Sequence, residues 1–122
     1  MSEFALAALG AYNLLESRPC LVADLLCLAA GETIRVYSVL SGQLVHILHG
    51  HGARVTSLAP SPNVLYQLIT SSMDGTVRIW SVDDGLLLNT IHVNTPLFGV
   101  KGKIGRNTKL LLFRNKYLKR NF

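Results

Sequence analysis

Short segments in which apolar and polar residues alternate predict β-strands along this chain. In TVRIW (76–80), valine and isoleucine fall on one face, while threonine, arginine and tryptophan fall on the other. This period of two is typical of a strand. YQLITSS (66–72) and LLLNTI (86–91) flank the segment. VTSLAPSP (55–62) precedes them and ends at two prolines, which cannot continue a sheet ladder. The pattern therefore predicts four consecutive strands.

Three glycines are assigned to turns around these strands. Asp74-Gly75 predicts a tight hairpin before TVRIW, because glycine adopts a positive φ angle at no steric cost. Gly85 ends the turn that leads into LLLNTI, and Gly50 stands in the connection before the first strand. The second half of the chain thus indicates strands joined by short turns.

The same pattern occurs twice. GETIRVYSVLSGQLVHIL (31–48) superposes without gaps on DGTVRIWSVDDGLLLNTI (74–91) at an offset of 43 residues. A period of about 40–45 residues is that of a four-stranded propeller blade. DLLCLAA, TIRVY and QLVHIL (24–48) supply three strands of the earlier blade, and its first strand is expected within residues 11–17.

The predicted fold is all-β and consists of two four-stranded propeller blades. Residues 19–98 hold the two blades, 1–18 form an amino-terminal segment that contributes a first strand, and 99–122 form an irregular basic tail. Because each blade packs only on its neighbours, two blades leave apolar faces and strand edges uncovered. A closed propeller needs roughly four blades. We therefore expect either further blades or a partner that covers these faces.

One stretch resembles the WD repeat, the repeat unit of a large family of β-propellers. Gly50-His51 is followed after twenty-two residues by an Asp-Gly-Thr turn (74–76) and then by Trp80. In that family a histidine, a strand serine or threonine, the turn aspartate and the tryptophan form a hydrogen-bonded tetrad. The resemblance implies a tetrad of these residues: His51, Thr70 or Ser72, Asp74 and Trp80.

Such a tetrad is chemically consistent. The indole N–H only donates and an ionised carboxylate only accepts, while histidine and a hydroxyl relay between them. Two departures from the family stand out. Ser81 follows the tryptophan where the family has aspartate, and the earlier copy carries Tyr37 and Glu32 in place of tryptophan and aspartate. We therefore expect no tetrad in the first blade.

A closer resemblance covers roughly residues 20–93. VHILHGH (45–51) and the segment 66–91 are similar to the amino-terminal region of nucleolar WD-repeat proteins. Those proteins belong to the transcription-linked subcomplex of the small-subunit processome, which assembles on nascent pre-ribosomal RNA. The resemblance implies a non-catalytic scaffold in the nucleolus, with processome proteins as partners and a role in pre-rRNA transcription and processing.

Two alternatives stay open at the level of sequence. The chain is either a general WD-repeat adaptor, for example in a ubiquitin ligase or a signalling complex, or a truncated product without activity of its own. The turn and strand residues alone do not separate these hypotheses from the nucleolar one.

Charge divides the chain in two. Residues 1–100 carry four basic and seven acidic side chains, whereas 101–122 carry eight basic side chains and no acidic one. Such a tail either contacts RNA or another partner by neutralising phosphates, or is a solvated end without a ligand. Alternatively, TKLLLFRNKYLKR (108–120) forms an amphipathic helix or strand that docks on the blades. The candidate contact residues are Lys101, Lys103, Arg106, Lys109, Arg114, Lys116, Lys119 and Arg120. Arg35 and Arg78 match in the two copies, and we interpret them as strand positions whose stems cover apolar surface.

No enzymatic, metal or cofactor site is indicated. His46, His49 and His51 cluster in sequence, but they lack a nearby cysteine or carboxylate ligand and are interpreted as structural. Cys20 and Cys27 fit no redox or zinc spacing and are expected to be reduced core residues. Because no basic segment precedes the amino-terminal apolar residues and no apolar run is long enough to span a membrane, we expect a soluble intracellular protein.

Overall fold

The computed structural model describes residues 18–103, 109–113 and 119–121, and the regular structure in them is β-strand. Two antiparallel four-stranded sheets come first, each with its strands side by side in chain order. The first sheet contains β1 (Cys20–Val22), β2 (Leu25–Ala30), β3 (Thr33–Ser38) and β4 (Leu44–Leu48). The second contains β5 (Val55–Pro60), β6 (Gln67–Ser72), β7 (Thr76–Ser81) and β8 (Leu86–His92). The predicted all-β fold with two four-stranded blades is confirmed.

The first strand of the first sheet lies later in the chain than the offset predicted. The expected segment, 11–17, lies outside the described residues, and the edge strand beside β2 is β1, with Cys20 opposite Cys27. The cause is the length of one connection. A two-residue turn joins β1 to β2, whereas residues 61–66 separate β5 from β6. The offset of 43 residues, which holds for the third and fourth strands of the two sheets, therefore misplaces the first strand of the first sheet.

The expectation of an irregular tail is wrong. β9 (Gly99–Lys103), β10 (Lys109–Phe113) and β11 (Lys119–Asn121) form a third antiparallel sheet. Strand pairing uses backbone amides and carbonyls, so the lysines that indicated a solvated end do not prevent it. The buried Leu97 and Val100 anchor the start of this sheet.

Two apolar cores hold the sheets together. The first lies between the first and second sheets and contains Cys27, Ile34 and Val36 on one side and Leu68 and Trp80 on the other. The second lies on the opposite face of the second sheet. Its members are Ala59, Ile69, Val77, Leu97 and Val100. The second sheet is thus covered on both faces, as the middle member of a stack.

Hydrogen bonds cross both sheet boundaries. The N–H of Val55 donates to the carbonyl of Gly31 at 2.8 Å, and the Thr56 hydroxyl donates to the carbonyl of Leu97 at 2.7 Å. The outer strands β4 and β8 instead expose a run of large apolar side chains: Leu44, Val45, Ile47, Leu86, Leu87 and Leu88. Within the described residues no helix has the length and hydropathy of a membrane span.

Candidate functional site

The second sheet brings four side chains of the implied tetrad to one place. His51 lies in the connection between β4 and β5, Thr70 is on the central strand β6, Asp74 is in the turn after it, and Trp80 is near the end of β7. Thr70 and Trp80 share a face because Thr70 pairs with Arg78 and Leu68 with Trp80. This face packs on the first sheet, so the network lies between the two blades.

A continuous chain of hydrogen bonds links these side chains. Trp80 Nε1–H donates to Thr70 Oγ1 at 2.9 Å. Thr70 Oγ1 lies 2.7 Å from His51 Nε2, and His51 Nδ1 lies 3.0 Å from Asp74 Oδ2. Each of the first three residues can thus donate to the next, and the carboxylate accepts the last bond. Thr70 and Trp80 are at most 1% exposed, so a missing bond would leave a buried polar group without a partner.

The histidine in this chain is neutral. Burial lowers the pKa of His51 below its usual 6.5. The hydrogen bond and the charge of Asp74 oppose burial without cancelling it, and the positive charge of Arg78 adds a smaller lowering effect. A neutral ring has one N–H. Assigning it to Nδ1, facing Asp74, leaves Nε2 as the acceptor for the Thr70 hydroxyl. Both ring nitrogens are then occupied, which positions His51 for structure and not for proton transfer to a bound molecule.

Asp74 is held as a carboxylate. Burial alone would raise its pKa, but hydrogen bonds from the Thr76 hydroxyl, the Gly52 N–H, His51 and the Thr76 N–H outweigh burial and lower the pKa to about 2. The Thr76 hydroxyl is 2.6 Å from Oδ1, and the Gly52 N–H is 2.9 Å from Oδ2. Sequence reasoning missed both groups. The signal was the Asp-Gly-Thr turn, since an aspartate in a turn accepts the N–H two residues later.

Thr70, and not Ser72, occupies the threonine or serine position of the network. The Ser72 hydroxyl donates toward the carbonyls of Ala53 and Arg54 at 3.0 Å and accepts the N–H of Asp74 at 3.1 Å. Ser72 therefore fixes the connection that carries His51 and the turn that carries Asp74. Its role is to position the network from outside it.

The three assigned glycines lie in conformations that side chains disfavour. Gly75 and Gly85 have φ angles of +82° and +74°, and Gly50 has +153°. A Cβ atom on Gly50 would lie 2.8 Å from Nη1 of Arg78 and 3.2 Å from the Trp80 ring. Gly50 thus lets Arg78 and Trp80 approach the backbone next to His51.

The corresponding face of the first sheet carries different side chains at the matching strand positions. Leu28 pairs with Arg35 as Thr70 pairs with Arg78, and Leu26 pairs with Tyr37 as Leu68 pairs with Trp80. Leu28 is 2% exposed. A hydrocarbon side chain thus occupies the position that the threonine has in the second sheet.

The other candidate residues do not gather into a chemical site. His46 Nε2 lies 3.0 Å from the carbonyl oxygen of Asp83, a contact between the first and second sheets. Burial raises the pKa of Cys20 to about 11, and burial together with Cys20 raises that of Cys27 to about 12. Both thiols stay protonated, as core residues do. Among the described residues no group of histidine, cysteine and carboxylate side chains is arranged to hold a metal ion.

The basic candidates divide between the third sheet and the undescribed segments. Lys101 and Lys103 lie on β9, Lys109 on β10, and Lys119 and Arg120 on β11. Their backbones are paired, with Lys103 opposite Lys109 and Lys119 opposite Phe113. The remaining three, Arg106, Arg114 and Lys116, lie outside the described residues.

Comparison with known proteins extends these observations. Residues 21–115 match a family model described as the first β-propeller of WD repeat-containing protein 75. Human WD repeat-containing protein 75 is 41% identical over 68 residues, which are 56% of this chain and 8% of the human protein. The Danio rerio protein is 36% identical over 75 residues, 62% of this chain and 9% of its own length.

A further relative is the ribosome biogenesis protein YTM1 of Chaetomium thermophilum, 38% identical over 61 residues, 45% of this chain and 12% of that protein. The chain therefore spans between 8% and 12% of the length of these relatives. The resemblance was expected over roughly residues 20–93 and to stop near 97–100, whereas the family match continues to residue 115 and reaches into the third sheet.

Proposed function

Because the chain belongs to the family of the first β-propeller of WD repeat-containing protein 75, we propose that it acts as a non-catalytic protein-binding scaffold in ribosome biogenesis. The observation that carries this proposal is the extent of the match, which includes both four-stranded sheets and the His51–Trp80 network. The similarity to a protein named for ribosome biogenesis supports the same process.

The more specific role is in pre-rRNA transcription and small-subunit processing in the nucleolus, with processome subunits as partners. Contiguous exposed apolar surface is typical of protein interfaces. The outer strands carry such surface, since Leu86, Leu87 and Leu88 are each more than 40% exposed. These features fit a protein that is covered by others in an assembly.

Affinity purification from cells that contain nucleoli tests this proposal. The tagged 122-residue chain is expected in the nucleolus, and processome proteins are expected among the proteins recovered with it by mass spectrometry. Trp80→Ala, which removes the first donor of the network, is the matched control and should lose both. Recovery of ubiquitin-ligase or signalling subunits from another compartment would instead support the adaptor hypothesis and contradict ours.

RNA contact through the basic residues is a separate part of the proposal. Eight basic side chains and no acidic one fall within 101–122. For single-stranded RNA, log affinity changes with log salt concentration by about −0.7 for each phosphate neutralised. Replacing Lys101, Lys103 and Lys109 by glutamine should therefore reduce the salt slope by about 2, measured by anisotropy of labelled RNA. An unchanged slope would exclude these three residues as contacts.

A further inference from the structure

A groove of about 270 Å³ lies between the first and second sheets, where β1 turns into β2 and β5 leads into β6. Residues 21–23 and 60–66 line it. β5 runs from Val55, opposite Ser72, to Pro60, opposite Leu68. The groove is therefore at the end of the sheets away from the turn that carries Asp74. It plays no part in the hydrogen-bonded network.

The rim of the groove is apolar and open to water. Leu21, Val64 and Leu65 are 61%, 50% and 73% exposed. Single exposed apolar residues are ordinary on protein surfaces, whereas several around one concavity mark a binding site. Pockets for drug-sized molecules measure about 300–1,000 Å³. This groove is smaller and fits one side chain of a peptide better than a cofactor.

The backbone around the groove is in an unusual conformation. Ala23 and Tyr66 both line it and have φ angles of +55° and +61°. Among the described residues other than glycine, one further residue, Asn94, has a positive φ. Left-handed conformations are unfavourable for alanine and tyrosine and concentrate at functional sites. The two segments are thus held in the shape that forms the groove.

Two acidic side chains lie near Tyr66 at the same groove. The Tyr66 hydroxyl donates to Asp24 Oδ1 at 3.3 Å. Asp24 and, more weakly, Asp83 raise the pKa of Tyr66, so both carboxylates are within electrostatic reach of the groove. Asp24, Asp83 and the neighbouring Asp84 are exposed. None of the described residues that line the groove is basic, so the carboxylates of Asp24 and Asp83 favour a positively charged ligand at the Tyr66 side of the groove.

We propose that this groove binds a basic peptide segment of a partner protein, with one aliphatic side chain seated between Leu21 and Leu65. Lysine or arginine side chains on either side of it lie next to Asp24 and Asp83. The proposal rests on the proposed scaffold function only because it takes a protein as the partner. It makes that function more specific by naming one contact with the partner. Carboxylates at the opening repel phosphates, which makes RNA the wrong occupant.

Fluorescence anisotropy with the full 122-residue chain tests the groove. The probe is a fluorescein-labelled peptide, Gly-Lys-Arg-Leu-Lys-Arg-Gly. We expect saturable binding that weakens roughly ten- to a hundredfold when Leu65→Ser removes the apolar rim, or when glycine replaces the leucine of the peptide. Asp83→Asn should weaken binding by about two- to threefold, as exposed ion pairs do. Glu32→Gln, which removes an exposed carboxylate from the turn between β2 and β3 at the other end of the first sheet, should bind like the parent chain.

Three binding results would overturn the proposal. The first is no binding of the peptide, and the second is equal binding of the peptide by the parent and Leu65→Ser chains. The third is binding of labelled oligouridine that is stronger than binding of the peptide and that Leu65→Ser abolishes. Concentration-dependent dimerisation that Leu65→Ser abolishes, without peptide binding, would assign the groove to a second copy and also overturn it. If the groove fails while processome proteins are still recovered with the chain, the scaffold function stands and only this contact falls.

Discussion

The first and second sheets build the same backbone around different interiors. On the matching face, the second sheet places Thr70 and Trp80 in a polar chain that reaches Asp74, whereas the first sheet places Leu28 and Tyr37 at the same positions. Both sheets have four antiparallel strands in the same order. A blade therefore does not need the network in order to form.

The difference lies in how each interior responds to change. A hydrocarbon side chain that is lost removes its own contacts and leaves a cavity. A linked polar group that is lost also leaves its partners buried and unsatisfied, which costs about 1–3 kcal/mol for each group. The second sheet should thus be the more sensitive of the two to single substitutions. In return, its network specifies the geometry of the turn that carries Asp74 and of the connection that carries His51 more sharply than apolar packing would.

The largest expected effect is at Trp80. It is 1% exposed and belongs to the core shared by the first and second sheets, so Trp80→Ala should lower the free energy of unfolding by about 3–5 kcal/mol. Tyr37→Ala, at the matching half-buried position, should cost about 1–2 kcal/mol. Urea unfolding followed by far-UV circular dichroism measures both. If the alanine variant is unfolded, Trp80→Phe, which keeps an aromatic ring, replaces it in the measurement. Equal losses of unfolding free energy for Trp80→Ala and Tyr37→Ala would contradict the comparison.

Thr70→Val removes one hydroxyl at nearly constant volume. Trp80 Nε1–H loses its acceptor and His51 Nε2 loses its donor, so we expect a loss of about 2–4 kcal/mol. Thr90→Val, a threonine on β8 outside the network, is the matched control and should change stability by less than about 0.5 kcal/mol. A similarly small effect for Thr70→Val would show that the polar chain contributes little beyond packing.

The network should also make stability depend on pH. The pKa of Asp74 is about 2 in the folded chain and 3.8 as an ordinary carboxyl, so the stabilisation is present above about pH 4 and is lost as pH falls toward 2. The loss should total roughly 2 kcal/mol. His51 acts in the same direction from a higher pH. Its pKa is lowered on folding, so the unfolded chain binds the proton first and stability begins to fall below pH 6.5.

Urea midpoints measured between pH 7 and pH 2 check this prediction. Asp74→Asn should lower stability at pH 7 and flatten the curve below pH 4, because the titrating group is gone. A curve for Asp74→Asn that is parallel to that of the parent chain would assign the acid sensitivity to other groups.

Sequence predicted the second sheet well because β7 alternates and each turn has a glycine or proline next to it. The implied partners His51 and Asp74 were also identifiable, from the resemblance to the WD repeat. The edge strand β1 was not, because its position depends on a two-residue turn at 23–24 that interrupts an apolar run without glycine or proline. Sequence left the segment of β10 open between helix and strand, because KLLLF is a continuous apolar run without alternation and pairing with β9 decides its structure.

Two glycines at matching turns give the smallest and sharpest comparison. Gly31 and Gly75 have φ angles of +62° and +82°, so alanine at either position is strained by about 1 kcal/mol. A Cβ atom on Gly31 meets nothing within 4 Å, whereas one on Gly75 lies 3.2 Å from the backbone N and O of Thr95. Gly75→Ala should therefore cost about 1 kcal/mol more than Gly31→Ala in urea unfolding, because the backbone of the segment leading to the third sheet must move. Equal costs would mean that this segment yields freely, and that the second sheet is held no more tightly than the first.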